Sequence, residues 1–247
     1  MLRTECCSRC SALQRSVGSL LLSLFAASTC TAGSLGGSIT ASADYVYRGV
    51  SQTRNEAALQ LDVHLQAGDR WVLGAWASPV QPREQQYATE LNLYTQRHQH
   101  LAGGVSASIG ATYYSIVNDP RIVPYNYLEL NAGLNWRDRL MLTAAWAPEV
   151  TLASRATGPV PDQQTYTLEL TGNQPLPGKL LLQAGVGYFA AIDLRHSGYA
   201  YGSSSLTRQF GRLHTALSYF WVQDVPHRPY MAGPAGSPWV VTATWTF

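Results

Sequence analysis

Trp239-Val240-Val241-Thr242-Ala243-Thr244-Trp245-Thr246-Phe247 closes the chain. In an extended strand successive side chains point to opposite sides. Trp239, Val241, Ala243, Trp245 and Phe247 therefore share one face, and Val240, Thr242, Thr244 and Thr246 share the other. A membrane strand tilted across a bilayer needs about 9–11 residues, which is the length of this stretch. The same pattern recurs upstream. Before Arg137-Asp138, the residues Leu128, Leu130, Ala132, Leu134 and Trp136 alternate with Tyr127, Glu129, Asn131, Gly133 and Asn135. Leu59/Leu61/Val63/Leu65 alternate with Gln60/Asp62/His64/Gln66, and Tyr166/Leu168/Leu170 with Thr165/Thr167/Glu169/Thr171.

About twelve such segments run along the chain, near 38–50, 57–67, 70–78, 86–97, 102–115, 125–136, 139–147, 164–173, 179–190, 199–209, 212–223 and 238–247. From Gly37 onward no 3.6-residue periodicity competes with them. The joins at 68–69, 98–101, 137–138, 174–178 and 210–211 are short. Those at 51–56, 79–85, 116–124, 148–163, 191–198 and 224–237 are mostly longer, and several contain Pro. Short periplasmic turns alternating with longer extracellular loops are the habit of outer-membrane barrels. The expectation is an all-β fold, a transmembrane antiparallel up-and-down β-barrel of about twelve strands.

Composition supports that expectation. Charged residues make up only 13% of the chain against 46% hydrophobic, with 14 Tyr and 7 Trp. A typical soluble domain carries roughly 25% charged residues. A soluble sandwich or lipocalin-like barrel also alternates, but its exterior is charged and Lys-rich, whereas Lys179 is the only lysine here. The aromatic residues expected to face the membrane as girdles are Tyr45, Tyr47, Trp136, Trp146, Trp221, Trp239 and Trp245.

The N-terminus has the form of an export signal. Arg3, Arg9 and Arg15 precede the apolar run Val17–Ala27, too short to span a bilayer comfortably, and small residues follow. The expected division is a signal peptide over 1–32, cleaved near Ala32-Gly33, and a barrel over 33–247. All four cysteines (Cys6, Cys7, Cys10, Cys30) lie in the first part. Cys7-Ser8-Arg9-Cys10 has redox or zinc spacing but no second pair and no His partner, so no metal or cofactor is expected. Lipidation at Cys30 lacks the usual upstream Leu. Loss of residues 1–32 takes three Arg and one Glu from a formal charge of +2 and leaves a neutral chain, which gives nucleic acid no footprint.

One stretch is more specific. Ser42-Ala43-Asp44-Tyr45-Val46-Tyr47-Arg48-Gly49-Val50-Ser51-Gln52-Thr53, followed by Ala58-Leu59-Gln60, resembles the opening of the TorF-type porin family of outer-membrane proteins in Gram-negative bacteria. Gly74-Ala75-Trp76-Ala77-Ser78, Glu90-Leu91-Asn92-Leu93-Tyr94, Tyr127-Leu128-Glu129-Leu130 and the terminal aromatic match its later landmarks in order. The Pro before Ala58 and the Gln-Gly pair after it are missing. The resemblance implies an outer-membrane barrel with a pore-forming or transport role. Phe247, closing an aromatic strand, resembles the signal by which such barrels are recognised by their assembly machinery. The implied surroundings are outer-membrane lipid and lipopolysaccharide.

With apolar faces outward, the lumen would hold Asp44, Arg48, Gln60, Asp62, His64, Glu90, Asn92, Glu129, Asn131 and Glu169. Such residues could select ions or small polar solutes in passive passage, or pair across strands and fill the bore. Asp44 and Arg48, four residues apart on a strand, would stand about 13 Å apart and need partners elsewhere. A non-conducting structural or adhesive barrel acting through its outer loops is the alternative. An enzyme is a further one, but His196 and His227, near Asp193 and Asp224, and the pair His98/His100 form no recognisable triad or ligand set, so no catalytic residue is expected.

Overall fold

The computed structural model describes residues 33–83, 86–118, 125–154, 158–192, 198–223, 227–229 and 238–247. The expected signal segment and the outer-loop residues Asp193, His196 and Asp224 lie outside them. Strand β1 (Ser34–Ser42) is followed by a small two-stranded hairpin, β2 (Val46–Tyr47) and β3 (Val50–Ser51). Then come β4 (Ala58–Ala67), β5 (Trp71–Arg83), β6 (Gln86–His100), β7 (Val105–Val117), β8 (Tyr127–Trp136) and β9 (Leu140–Ser154). The rest are β10 (Gly158–Leu176), β11 (Leu180–Ala191), β12 (Tyr199–Phe210), β13 (Leu213–Val222), β14 (His227–Pro229) and β15 (Trp239–Thr246).

Twelve of these form a closed antiparallel wall: β1, β4 to β13, and β15. Each pairs with its neighbours in chain order, β9 with β10 among them, and β1 joins β15 across the seam. Closure leaves no wall strand with an unpaired edge. The seam is short. Five residue pairs run from Ser38↔Thr246 to Ser42↔Thr242, and reciprocal backbone bonds link Gly37 and Phe247 at 3.2 and 3.0 Å.

The joins at one rim are tight and use the left-handed backbone that short hairpin turns require: Gly68, Arg137-Asp138, Gly178-Lys179 and Gly211 all have positive φ. At the other rim the joins are longer, but the strands reach further than the sequence pattern implies. β5 continues to Arg83, and β9 and β10 run to Ser154 and from Gly158, so most of the expected loops at 79–85 and 148–163 are ladder. Their prolines read as breakers because Pro donates no hydrogen bond. Register shifts around Asp162 absorb the interruption instead. The pairing of β14 with β9, His227↔Ser154 to Pro229↔Leu152, ties part of the last outer loop to that extension.

Burial is inverted relative to an ordinary globular protein. Along β8, Tyr127 and Glu129 are buried whereas Leu128, Leu130 and Leu134 are exposed. Along β4, Leu59, Leu61, Val63 and Leu65 face out, and Gln60, Asp62 and His64 are half-buried on the inner side. Along these strands the wall is apolar outside and polar inside. The first segment is where the expectation fails. β1 stops at Ser42, Ala43 keeps one bond to Val241, and residues 44–53 leave the wall for the lumen.

Candidate functional site in the barrel lumen

The β2–β3 hairpin turns at Arg48-Gly49, with φ of 49° and 76°, between the paired residues Tyr47 and Val50. Two consecutive positive-φ residues make the turn whose twist matches a tight hairpin, and Gly favours the second position. Gly49 is also pressed against β12 and β13 of the wall. A Cβ there would meet the Cβ atoms of Tyr201 and Val222, both at 2.9 Å.

Inside the hairpin the Asp44 carboxylate accepts hydrogen bonds from the hydroxyls of Ser51 and Thr53, both at 2.7 Å, with all three residues buried. The backbone N–H of Gln52 donates to the Tyr45 carbonyl at 2.6 Å, and that of Gln81 on β5 donates to the Gln52 carbonyl at 2.8 Å. Asp44 thus fixes the hairpin's shape. A D44A variant leaves two buried hydroxyls without their acceptor, at a cost of about 1–3 kcal/mol. Hydrogen exchange should then quicken at the Tyr45 and Gln52 amides and stay unchanged at mid-wall amides. Uniform quickening would place the defect in the wall instead.

Outward contacts hold the hairpin across the bore. Arg48 donates through Nη2 to Glu129 Oε2 of β8 at 2.7 Å, with side chains 7% and 6% exposed. Its guanidinium also lies 4.7 Å from the ring centre of Tyr47 and 5.8 Å from that of Phe189 on β11. The Tyr47 hydroxyl meets that of Tyr114 on β7 at 3.3 Å, and Tyr114 stacks on Tyr127 at 4.5 Å. Tyr45 packs on Trp76 at 5.2 Å and donates to Glu90 Oε1 at 3.4 Å. Burial first, and then the Glu90 carboxyl, hold the Tyr45 phenol well above its ordinary range, so it stays a neutral donor. With Val50, Phe189, Tyr199 and Tyr201 these residues make an apolar and aromatic cluster that fills the outer half of the lumen.

The inner half is polar. Below the hairpin, towards the tight turns, lies a cavity of about 210 Å³, its walls formed in part by Arg48, Glu129, Asn131, Thr167 and Glu169. Further round, Asp62 accepts from Tyr94 at 2.7 Å and pairs with His64 Nδ1 at 2.6 Å.

The structure thus brings together Arg48, Glu129, Asn131 and Glu169, and separately Asp62 with His64. Glu90 and Asn92 form a third group, joined by a hydrogen bond of 2.7 Å. Gln60 lies on the same inner face as Asp62, and Asp44 serves the hairpin alone. Trp136, Trp146, Trp221, Trp239 and Trp245 are exposed on the outer surface, and Phe247 is half exposed at the seam. Tyr45 and Tyr47 are corrections. Both sit in the lumen and not towards the membrane, because the chain has already left the wall and the alternation no longer maps to its two faces. Arg48 finds the separate partner that its distance from Asp44 requires in Glu129 of β8, with both side chains buried.

Sequence reasoning missed Tyr114, Tyr201, Thr112, Thr143 and Thr167. Each lies on the inner parity of its strand, but Tyr and Thr are equally at home on an outer face. Among the described residues no group of His, Cys, Asp and Glu is placed to hold a metal.

Similar architecture is found in solved structures at low identity. A Salmonella typhi OmpF complex with daunomycin matches with TM-score 0.46 and 10% identity, over 87% of this chain and 97% of that one. The CymD monoaromatic hydrocarbon channel matches with TM-score 0.46 and 11% identity, over 86% and 87% of the two chains. The beta domain of the Bordetella autotransporter BrkA matches with TM-score 0.40 and 13% identity, over 88% and 99%. No curated protein matches the chain. Residues 26–247 match the model of the Gcw_chp family, described as a bacterial protein of unknown function, and the chain belongs to that family.

Proposed function

We propose that this protein is an outer-membrane channel for small polar solutes or ions, narrowed by the hairpin that its first outer loop folds into the bore. The inverted burial of the wall carries this reading. Leu, Val, Trp and Phe side chains cover the outside, whereas Gln60, Asp62, Asn131 and Glu169 face a polar interior. Exposed apolar surface on this scale requires a lipid surrounding, and a polar lumen inside a lipid-facing barrel is what water-filled channels have. Export by a cleaved leader, contact with lipopolysaccharide and recognition of the Phe247 strand by the assembly machinery belong to the same proposal.

Single-channel recording tests it. Protein purified from membranes and inserted in a planar bilayer should give small, reproducible current steps whose ion preference shifts in an E90Q/E129Q variant. A folded, heat-modifiable barrel that never conducts would favour a closed structural barrel. The packed cluster beneath the outer rim is the observation on that side.

A further inference from the structure

We propose that the cavity under the hairpin is a binding site for one small monovalent cation, an alkali-metal ion or a primary ammonium group, with Glu169 as its charged ligand. This inference names the solute class for the channel proposed above and rests on that reading only for transport, not for binding.

The charge around the cavity is unbalanced. Arg48 and Glu129 cancel each other at 2.7 Å. Glu169 also faces the cavity, and its described partner is the neutral hydroxyl of Tyr201 on β12. Among the described residues one carboxylate therefore remains without a counter-charge. In a partly enclosed site that asymmetry attracts a cation far more strongly than it would in bulk water. The rest of the lining supplies neutral oxygen in the form of Thr112, Thr143, Thr167, Asn131 and the tyrosine hydroxyls. Oxygen donors of this kind replace the hydration shell of an alkali ion or accept the N–H groups of an amine.

Thr167, which also lines the cavity, is itself 5% exposed. Size fits the proposal. A single water needs about 10–15 Å³ of such space, so about 210 Å³ holds an ion with part of its shell, or an amine of a few heavy atoms.

The wider lumen shares the sign. Besides Glu169, Asp62 and Glu90 face inward. Glu90 is 1% exposed and bonded only to the neutral donors Tyr45 and Asn92, among the described residues. Arg48, the arginine that lines the cavity, is already paired.

Two measurements test this with the full protein purified from membranes. In bilayers under a potassium chloride gradient, the reversal potential should show potassium preferred over chloride. E169Q should lower that ratio by about tenfold, the lower end of what a focused charge supplies. D138N removes the same charge from an exposed turn and should leave the ratio unchanged at high salt, where screening reaches only about 3 Å. Separately, the detergent-folded protein should broaden the sodium NMR line, and E169Q should abolish the broadening. Displacement by methylammonium but not potassium would identify an ammonium site, and displacement by potassium an alkali-ion site. A barrel that conducts without cation preference, or whose preference survives E169Q, overturns the inference and leaves the channel standing. A silent barrel that broadens sodium in an E169Q-sensitive way keeps the site and overturns the channel. Neither current nor broadening overturns both.

Discussion

Replacing Arg48 by alanine is expected to raise the single-channel conductance several-fold while lowering the stability of the barrel by about 3–5 kcal/mol, the cost of removing one partner of a buried ion pair. The two effects have separate origins. Stability falls because Glu129, whose side chain is 6% exposed, keeps its charge without a counter-ion. Conductance rises because the hairpin loses its hold on β8 and on the rings of Tyr47 and Phe189, and water replaces it in the bore. The R48A/E129A double variant separates them. Without the orphaned carboxylate it should regain much of the stability yet remain as conductive as R48A. R48K keeps the charge but not the planar fork and should fall between parent and R48A. Current steps of parental size in R48A, with the stability loss present, would show that the hairpin is held by its packing and not by this pair.

The second large effect is expected at the seam. A Cβ at Gly37 would lie 2.5 Å from the Asp62 carbonyl oxygen and 2.7 and 2.9 Å from Phe247 ring atoms. The ring is the flexible end of a side chain and the carbonyl is ladder backbone, so only the first can move aside cheaply. G37A should therefore cost about 1–3 kcal/mol, the usual range for overpacking, and lower the temperature at which the compact, detergent-resistant form is lost. The loss falls on a junction of only five residue pairs. Adding F247A relieves the ring but not the carbonyl, and should not restore the parent's thermal behaviour. A G37A barrel that melts like the parent would show that the seam has slack at this point.

The wall was legible because its two periodicities are independent of each other. Alternation at every second residue marked the strands, and alternating short and long joins marked the rims, so errors in one did not propagate to the other. The hairpin was not legible for a local reason. Ser42 to Val50 keeps the same alternation as β1, and nothing in that parity announces that Asp44 satisfies Ser51 and Thr53. Where the turn at Arg48-Gly49 goes is set by Glu129, 81 residues further on, and by a cleft between Tyr201 and Val222. The extended outer strands were obscured by Pro79, Pro159 and Pro161, whose local preference is overridden by the ladder on either side. The lumen carboxylates were identifiable from parity. Which of them lacks a counter-charge depends on cross-strand partners, and those are visible only in the folded chain.

β1 has an unusual pair of neighbours. One flank closes the ring with β15, and its C-terminal end leads straight into the segment that occupies the bore. Resistance to heat and resistance to leakage are therefore inherited together through residues 34–57. A substitution that loosens this stretch opens the bore and the ring closure together, and one that stiffens it tightens both.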